Sequence, residues 1–157
     1  MINNVNNNKQ RDKVILFKGI CTDKKGGYYL NSIPGNEEFS SVGESVHSVN
    51  VKKEIVRIEV FGEKIDDLIE INKLTPGIIL MDVEGSEMKA LKGSENTLRK
   101  YKPAIILEVH DQLLIEQESS SMEVLNYLIE LGYSIRDVRK SHKIQNHFTG
   151  NIIAIPK

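Results

Sequence analysis

The 157-residue sequence has one cysteine, no tryptophan and no long hydrophobic run. Cys21 alone cannot form an internal disulfide, so we expect a reducing, cytoplasmic location. Each apolar run is shorter than the ~18 residues that cross a bilayer, and the first residues lack the basic and apolar pattern of a signal peptide. We therefore expect neither a membrane-bound nor an exported protein.

Charge of one sign is also lacking, because 21 basic and 22 acidic side chains leave a net charge of −1. The lysines are scattered, and an aromatic content of 6% leaves little surface for stacking on bases. We therefore expect no nucleic-acid partner. The length and a hydrophobic content of 39% instead indicate one compact domain over residues 1–157.

Short apolar runs alternate with segments of helical spacing, a pattern typical of α/β folds. The sequence predicts strands at 14–20, 28–30, 55–61, 78–81, 104–107, 133–138 and 152–155. It predicts helices at 65–74, 86–100 and 120–131, the last with Ser120 and Glu123 at capping-box spacing. Because the runs 14–20, 78–81 and 104–107 are almost continuously apolar, we expect a mostly parallel sheet with helices on both faces.

Two connections are also predicted. Turn residues that end in Gly26 and Gly27 separate the first two strands, which indicates a strand, a turn and a second strand. Residues 32–50 contain Pro34, Gly35 and several serines, which predicts a long loop of the kind that is often functional in compact domains.

Ionisable side chains cluster where two neighbouring strands end: Asp82, Glu84, Glu87, Glu108, His110 and Asp111. Ligands of parallel sheets bind outside the carboxyl ends of the strands, so this cluster is the candidate site. One interpretation is that a carboxylate or His110 takes a proton from a hydroxyl, or that carboxylates hold Mg²⁺. The structural alternative is that Glu84 and Glu87 stabilise a helix start, and that His110 is a hydrogen-bonded imidazole.

The same residues carry a resemblance to a known family. Residues 78–87, which include Asp82-Val83-Glu84-Gly85-Ser86-Glu87, resemble the carboxyl-terminal half of FkbM-type methyltransferases. Further segments that are similar to this family are 3–8, 21–26, 65–68, 90–93, 101–103, 106–110 and 150–156. The resemblance thus extends along essentially the whole chain.

The resemblance implies S-adenosylmethionine-dependent O-methylation of a hydroxyl on a sugar or natural product. It implies a Rossmann-like class I methyltransferase sheet with an antiparallel carboxyl-terminal strand. The acceptor, a small molecule or saccharide, would lie near Asp82, Glu84, Glu108 and His110. Thr22 or Asp23 would contact the adenine of the cofactor. No residue is assigned to a metal on this basis.

The family's glycine-rich cofactor turn and the acidic residue that ends its second strand have no counterpart in this sequence. We therefore expect an incomplete, apparently truncated domain that binds the cofactor poorly and is inactive alone. Without the first two strands, the runs 14–20 and 78–81 would lie about three strand spacings of ~4.8 Å apart. We expect weak stability, self-association or pairing with a missing amino-terminal segment.

Two alternatives to a methyltransferase remain. One is a non-catalytic binding or assembly module derived from the same fold. The other is a receiver-like domain in which Asp82 accepts a phosphoryl group, although Glu37 and Glu38 do not end the apolar strand that such a domain requires. Cys21 is interpreted as a small buried residue, and His142 and His147 as solvated loop residues.

Overall fold

The computed structural model describes residues 2–32, 41–42, 55–139 and 146–157. Its α-helices are α1 Ile2–Asn7, α2 Ile65–Ile71, α3 Glu87–Lys92, α4 Glu95–Tyr101, α5 Asp111–Glu116 and α6 Ser121–Glu130. Its strands are β1 Ile20–Cys21, β2 Gly26–Ser32, β3 Ser41–Val42, β4 Val56–Glu63, β5 Ile78–Met81, β6 Ala104–Val109, β7 Tyr133–Asp137 and β8 Gly150–Pro156. No helix in these ranges is both long and apolar enough to cross a membrane.

The strands form two four-stranded sheets, one in the order β1-β4-β2-β3 and the other in the order β5-β6-β8-β7. The α/β class and the antiparallel carboxyl-terminal strand are confirmed. The expectation of mostly parallel pairing is wrong, because β1–β4 and β5–β6 are parallel whereas β2–β3, β2–β4, β6–β8 and β7–β8 are antiparallel. Parallel neighbours need a crossover connection, which α3 and α4 provide between β5 and β6.

The apolar run 14–20 does not form the predicted buried strand. Only Ile20–Cys21 pairs with a neighbour, β4, while Ile15 is 59% exposed and Phe17 is 40% exposed. These side chains are exposed because β1 lies at the end of its sheet, where β4 is its one partner in the described part of the chain. The strand that follows, β2, also pairs with β4 and not with β1, so the two are not a hairpin.

Strand β5 has the predicted bounds but not the predicted burial. Met81 is 3% exposed, whereas Ile78 is 68% and Leu80 is 77% exposed. Side chains of a strand alternate between the two faces of a sheet, so one face of β5 meets the core and the other faces solvent. Strand β6 lies inside the sheet, and its Ile105, Leu107 and Val109 are completely buried.

The predicted helix 86–100 is two helices, α3 and α4, which separate at Gly93 and Ser94. Gly93 faces the end of β1 so closely that a Cβ there would overlap the carbonyl oxygen of Thr22. The carbonyl oxygen of Gly93 itself accepts a 2.9 Å hydrogen bond from the backbone N–H of Asp66. This turn therefore joins the first half of the chain to the second.

The core lies between the sheet β5-β6-β8-β7 and helices α3, α4 and α6. It contains Leu91, Leu98, Leu107, Leu128 and Tyr133, among other apolar side chains. Helix α6 begins as predicted, with the Ser120 hydroxyl accepting from the Glu123 backbone N–H at 3.3 Å, and Gly132 follows it at φ +85°. Most of the predicted loop 32–50, residues 140–145 and Glu37–Glu38 lie outside the described residues.

Candidate active site

Parallel pairing of β5 with β6 brings the predicted site residues to one sheet edge. Met81 is the register partner of Leu107, so Asp82 and Glu108 are the next residues along the two strands. One ligand atom each of Asp82, Glu108 and His110 lies within 4.8 Å of the others. The predicted convergence is therefore present in the structure, while the catalytic roles of these residues stay predictions.

His110 lies at the centre of the cluster and is 13% exposed. Its Nδ1 is 2.8 Å from Glu87 Oε1, and its Nε2 is 3.5 Å from Glu84 Oε2 and 3.8 Å from Glu108 Oε1. The hydrogen bond to Glu87 and the charges of Glu84, Glu87 and Glu108 raise the pKa of the imidazole, although burial opposes the shift. The cluster is thus built to hold positive charge at this position.

Glu87 is the residue that orients the imidazole. It is the first residue of α3, as predicted, and its side chain is completely buried. Its Oε1 accepts a 3.2 Å hydrogen bond from the Gly85 backbone N–H as well as contacting His110. The sequence interpretation that Glu87 only stabilises a helix start missed this second contact, because the partner is 23 residues away.

The loop between β5 and α3 has an unusual backbone. Glu84 has φ +43° and Gly85 has φ +89°, both in the left-handed region. A non-glycine residue in this region costs on the order of 1 kcal/mol, so packing must hold it there. Gly85 provides that packing, since a Cβ on it would lie 2.6 Å from the Leu113 Cβ in α5. The loop therefore presses against α5, close to His110.

Asp111 does not join the cluster, although the sequence grouped it there. It is 4% exposed, accepts from the backbone N–H of Ser121 at 2.9 Å and contacts His147 Nδ1 at 2.8 Å. Burial disfavours its charge, but the hydrogen bonds from Ser121 and His147 outweigh burial and lower its pKa. Asp111 thus links the start of α6 to the segment before β8. His147, which was expected to be a solvated loop residue, contacts Asp111 as well as solvent.

The two predicted cofactor residues differ in accessibility. Thr22 is 2% exposed beneath Gly93, whereas Asp23 lines a cavity of about 520 Å³ that also reaches Gly85. The other lining residues are Met88, Lys89, Lys92, Gln117, Glu118, Ser119, Glu123, Asn126, Tyr127 and Glu130. The predicted adenine contact of Thr22 or Asp23 stays a prediction, and Asp23 is the residue of this pair that borders open space.

Comparison with known proteins places the chain among the methyltransferases. The methyltransferase FkbM domain model matches residues 2–135, which is most of the sequence. The chain belongs to this family, as the resemblance in its strand ends predicted.

No curated protein matches this chain. A solved structure is similar to part of it. The crystal structure of Methyltransferase FkbM from Methylobacillus flagellatus KT is 24% identical and aligns with 61% of this chain, with a TM-score of 0.43. The alignment spans 23% of the length of that protein.

Proposed function

We propose that this domain takes part in S-adenosylmethionine-dependent O-methylation, with a sugar or natural-product hydroxyl as the acceptor. Membership of the FkbM family supports the reaction class. The single observation that carries the proposal is the convergence of Asp82, Glu108 and His110 at the carboxyl ends of β5 and β6. Such an edge is where α/β sheets bind their ligands.

The reaction needs a proton acceptor at the hydroxyl that receives the methyl group. Asp82 is exposed and Glu108 is 38% exposed at its side chain, so an entering hydroxyl can donate to either carboxylate. His110 is fixed from behind by Glu87, and in its protonated form it stabilises negative charge that develops on the acceptor oxygen. Positioning of the acceptor hydroxyl supplies the remainder of the rate acceleration.

S-adenosylmethionine would supply a methyl group bonded to its sulfonium sulfur, but the described residues do not form a complete site for it. Gly26 and Gly27 are in β2, Gly85 packs on Leu113, and Gly93 packs on Thr22, so none is at a cofactor turn. We therefore derive no step through the donor, and we propose that this chain alone is inactive. Cys21 is a free thiol, which suits the cytoplasmic location proposed from the sequence.

A calorimetric titration with S-adenosylmethionine tests this proposal. We expect no measurable heat with this chain, and binding by a version extended at its amino terminus by the family's first two strands and glycine-rich turn. In the extended version Asp82→Asn should lower kcat for a hydroxyl acceptor on the order of 100-fold and leave the donor Kd unchanged. Tight donor binding by the short chain would disprove the expected loss of cofactor binding, methylation of a hydroxyl by the short chain would disprove its inactivity, and a donor-bound extended chain that methylates no hydroxyl would disprove the reaction.

A second candidate is a non-catalytic assembly module. The observation that favours it is strand β5, which is the outer strand of its sheet among the described residues and where Ile78 and Leu80 present apolar side chains to solvent. An unpaired strand edge of this kind binds other strands, from a second copy or from an amino-terminal segment. In this case donor binding would be absent from the extended version as well.

A further inference from the structure

We propose that Asp82, Glu108 and His110 together bind a divalent metal ion. Two carboxylate oxygens and one imidazole nitrogen from these residues lie within 4.8 Å of one another, a spacing that a single ion can bridge with small side-chain shifts. Three protein ligands leave coordination positions open for water or a hydroxyl, as in catalytic metal sites.

The orientation of His110 is that of a metal ligand. Its Nδ1 contacts the buried Glu87 carboxylate at 2.8 Å, which fixes the ring and directs Nε2 to the side of Glu84 and Glu108. Histidine ligands commonly donate their other ring N–H to a carboxylate in this way, which fixes the tautomer and makes the free nitrogen a better donor to the metal. The acidic side chains alone would not provide this arrangement.

The negative charge around the imidazole also favours binding of a cation. Four carboxylates, those of Asp82, Glu84, Glu87 and Glu108, surround one histidine. Glu87 is completely buried, directs Oε1 at His110, and has no hydrogen-bond partner for Oε2 among the described residues. A buried carboxylate is costly unless positive charge lies close to it. A proton on His110 supplies one positive charge, and a bound divalent ion supplies two.

The mixed donor set favours particular metals. Imidazole suits Zn²⁺ better than Mg²⁺ or Ca²⁺, and the two carboxylates also suit Mn²⁺. An ion here would lower the pKa of a bound hydroxyl and so ease its deprotonation. This use of the ion rests on the proposed function, whereas the binding of the ion does not.

Titration of Mn²⁺ into the purified chain, followed by electron paramagnetic resonance, tests the site. We expect one Mn²⁺ bound per chain, and at least tenfold weaker binding in Asp82→Asn and in Glu108→Gln. Both side chains are at least partly exposed, so neither change removes core packing, and circular dichroism verifies the fold. The matched control is Glu70→Gln, an exposed carboxylate at the end of α2, which should bind Mn²⁺ like the parent chain.

Metal binding by the His110 imidazole is measured separately, by NMR. In ¹⁵N spectra of the chain, which has four histidines, Zn²⁺ should shift the Nε2 resonance of one of them, and His110→Gln should remove that shift. Absence of Mn²⁺ and Zn²⁺ binding would overturn the proposal, as would binding that Asp82→Asn and Glu108→Gln leave unchanged. Because these measurements require no methyl transfer, their failure would leave the proposed reaction standing.

Discussion

At the scale of single residues, Gly93 shows how one missing methyl group sets the contact between the two halves of the chain. A Cβ at this position would overlap the carbonyl oxygen of Thr22, which is backbone and cannot turn away. We expect Gly93→Ala to lower the free energy of unfolding by about 1–3 kcal/mol, the usual cost of overpacking. Urea unfolding followed by circular dichroism measures the change.

Gly77→Ala is the matched control, because nothing lies within 4 Å of the Cβ that it would add. Alanine reduces the entropy of the unfolded chain, so this variant should be as stable as the parent or slightly more stable. Equal stability of Gly93→Ala and Gly77→Ala would show that β1 does not pack on the turn between α3 and α4.

Glu87 illustrates what a residue type and its position predict and what they leave out. Its place at the start of α3 follows from the sequence, since acidic residues favour the first turn of a helix. Its burial and its contact with His110 do not, because they depend on how β5, α3 and β6 pack. The same holds for Asp111, whose partner His147 is 36 residues away.

At the scale of elements, Glu95 joins α4 to α6 and makes that contact sensitive to acid. Its carboxylate accepts from Arg99 Nε at 2.8 Å and from the Tyr127 hydroxyl at 3.0 Å. These hydrogen bonds, first that of Arg99, lower the pKa of Glu95. The ionised form therefore stabilises the fold at pH values above the ordinary pKa of about 4.3, and this stability is lost as the pH falls through the lowered value.

We expect Glu95→Gln to flatten the decline of stability below about pH 4.3, because the variant has no proton to gain at this site. The effect should be small, since the Glu95 side chain is 40% exposed and solvent screens its ion pair. Urea unfolding at a series of pH values measures it, with Glu70→Gln as the control. A decline as steep in Glu95→Gln as in Glu70→Gln would contradict the assignment.

The elements that were predicted best are those whose boundaries depend on local chemistry. Pro76 and Gly77 precede β5, Ser120 caps α6, and Gly132 ends it, and the structure has each boundary there. Burial and pairing were predicted less well. An apolar run predicts a buried strand only if other strands flank it, and β1, which follows residues 14–19, and β5 both lie at sheet ends.

In the candidate site, too, the features set by local sequence were predictable and those set by tertiary packing were not. Its location was predictable, because consecutive parallel strands bring their carboxyl ends together and Asp82 and Glu108 lie at those ends. Its internal geometry was not, because the left-handed backbone at Glu84 and the direction of the His110 ring are set by tertiary contacts. A buried carboxylate beside a histidine could be recognised only from coordinates.

At the scale of the whole molecule, the described part of the chain exposes apolar side chains at its outer strands and at the end of α2. Leu80 on β5 is 77% exposed, Ile78 is 68% exposed, and Ile71 at the end of α2 is 78% exposed. Ile15 and Phe17, ahead of β1, add a second exposed group. Apolar strand edges without a partner strand associate with other chains. These exposed surfaces therefore favour self-association of the protein in solution.

We expect the isolated chain to self-associate through β5 in a concentration-dependent way. Leu80→Lys should reduce this association, since an outward-facing lysine at a strand edge opposes edge-to-edge pairing and the side chain is not part of the core. Ile129→Lys is the control, because Ile129 is 49% exposed but lies on helix α6. Sedimentation velocity over a range of concentrations should give larger species for the parent and for Ile129→Lys than for Leu80→Lys. A parent chain that stays monomeric in this range and melts sharply and reversibly would show that the open edge of β5 is tolerated without a partner strand.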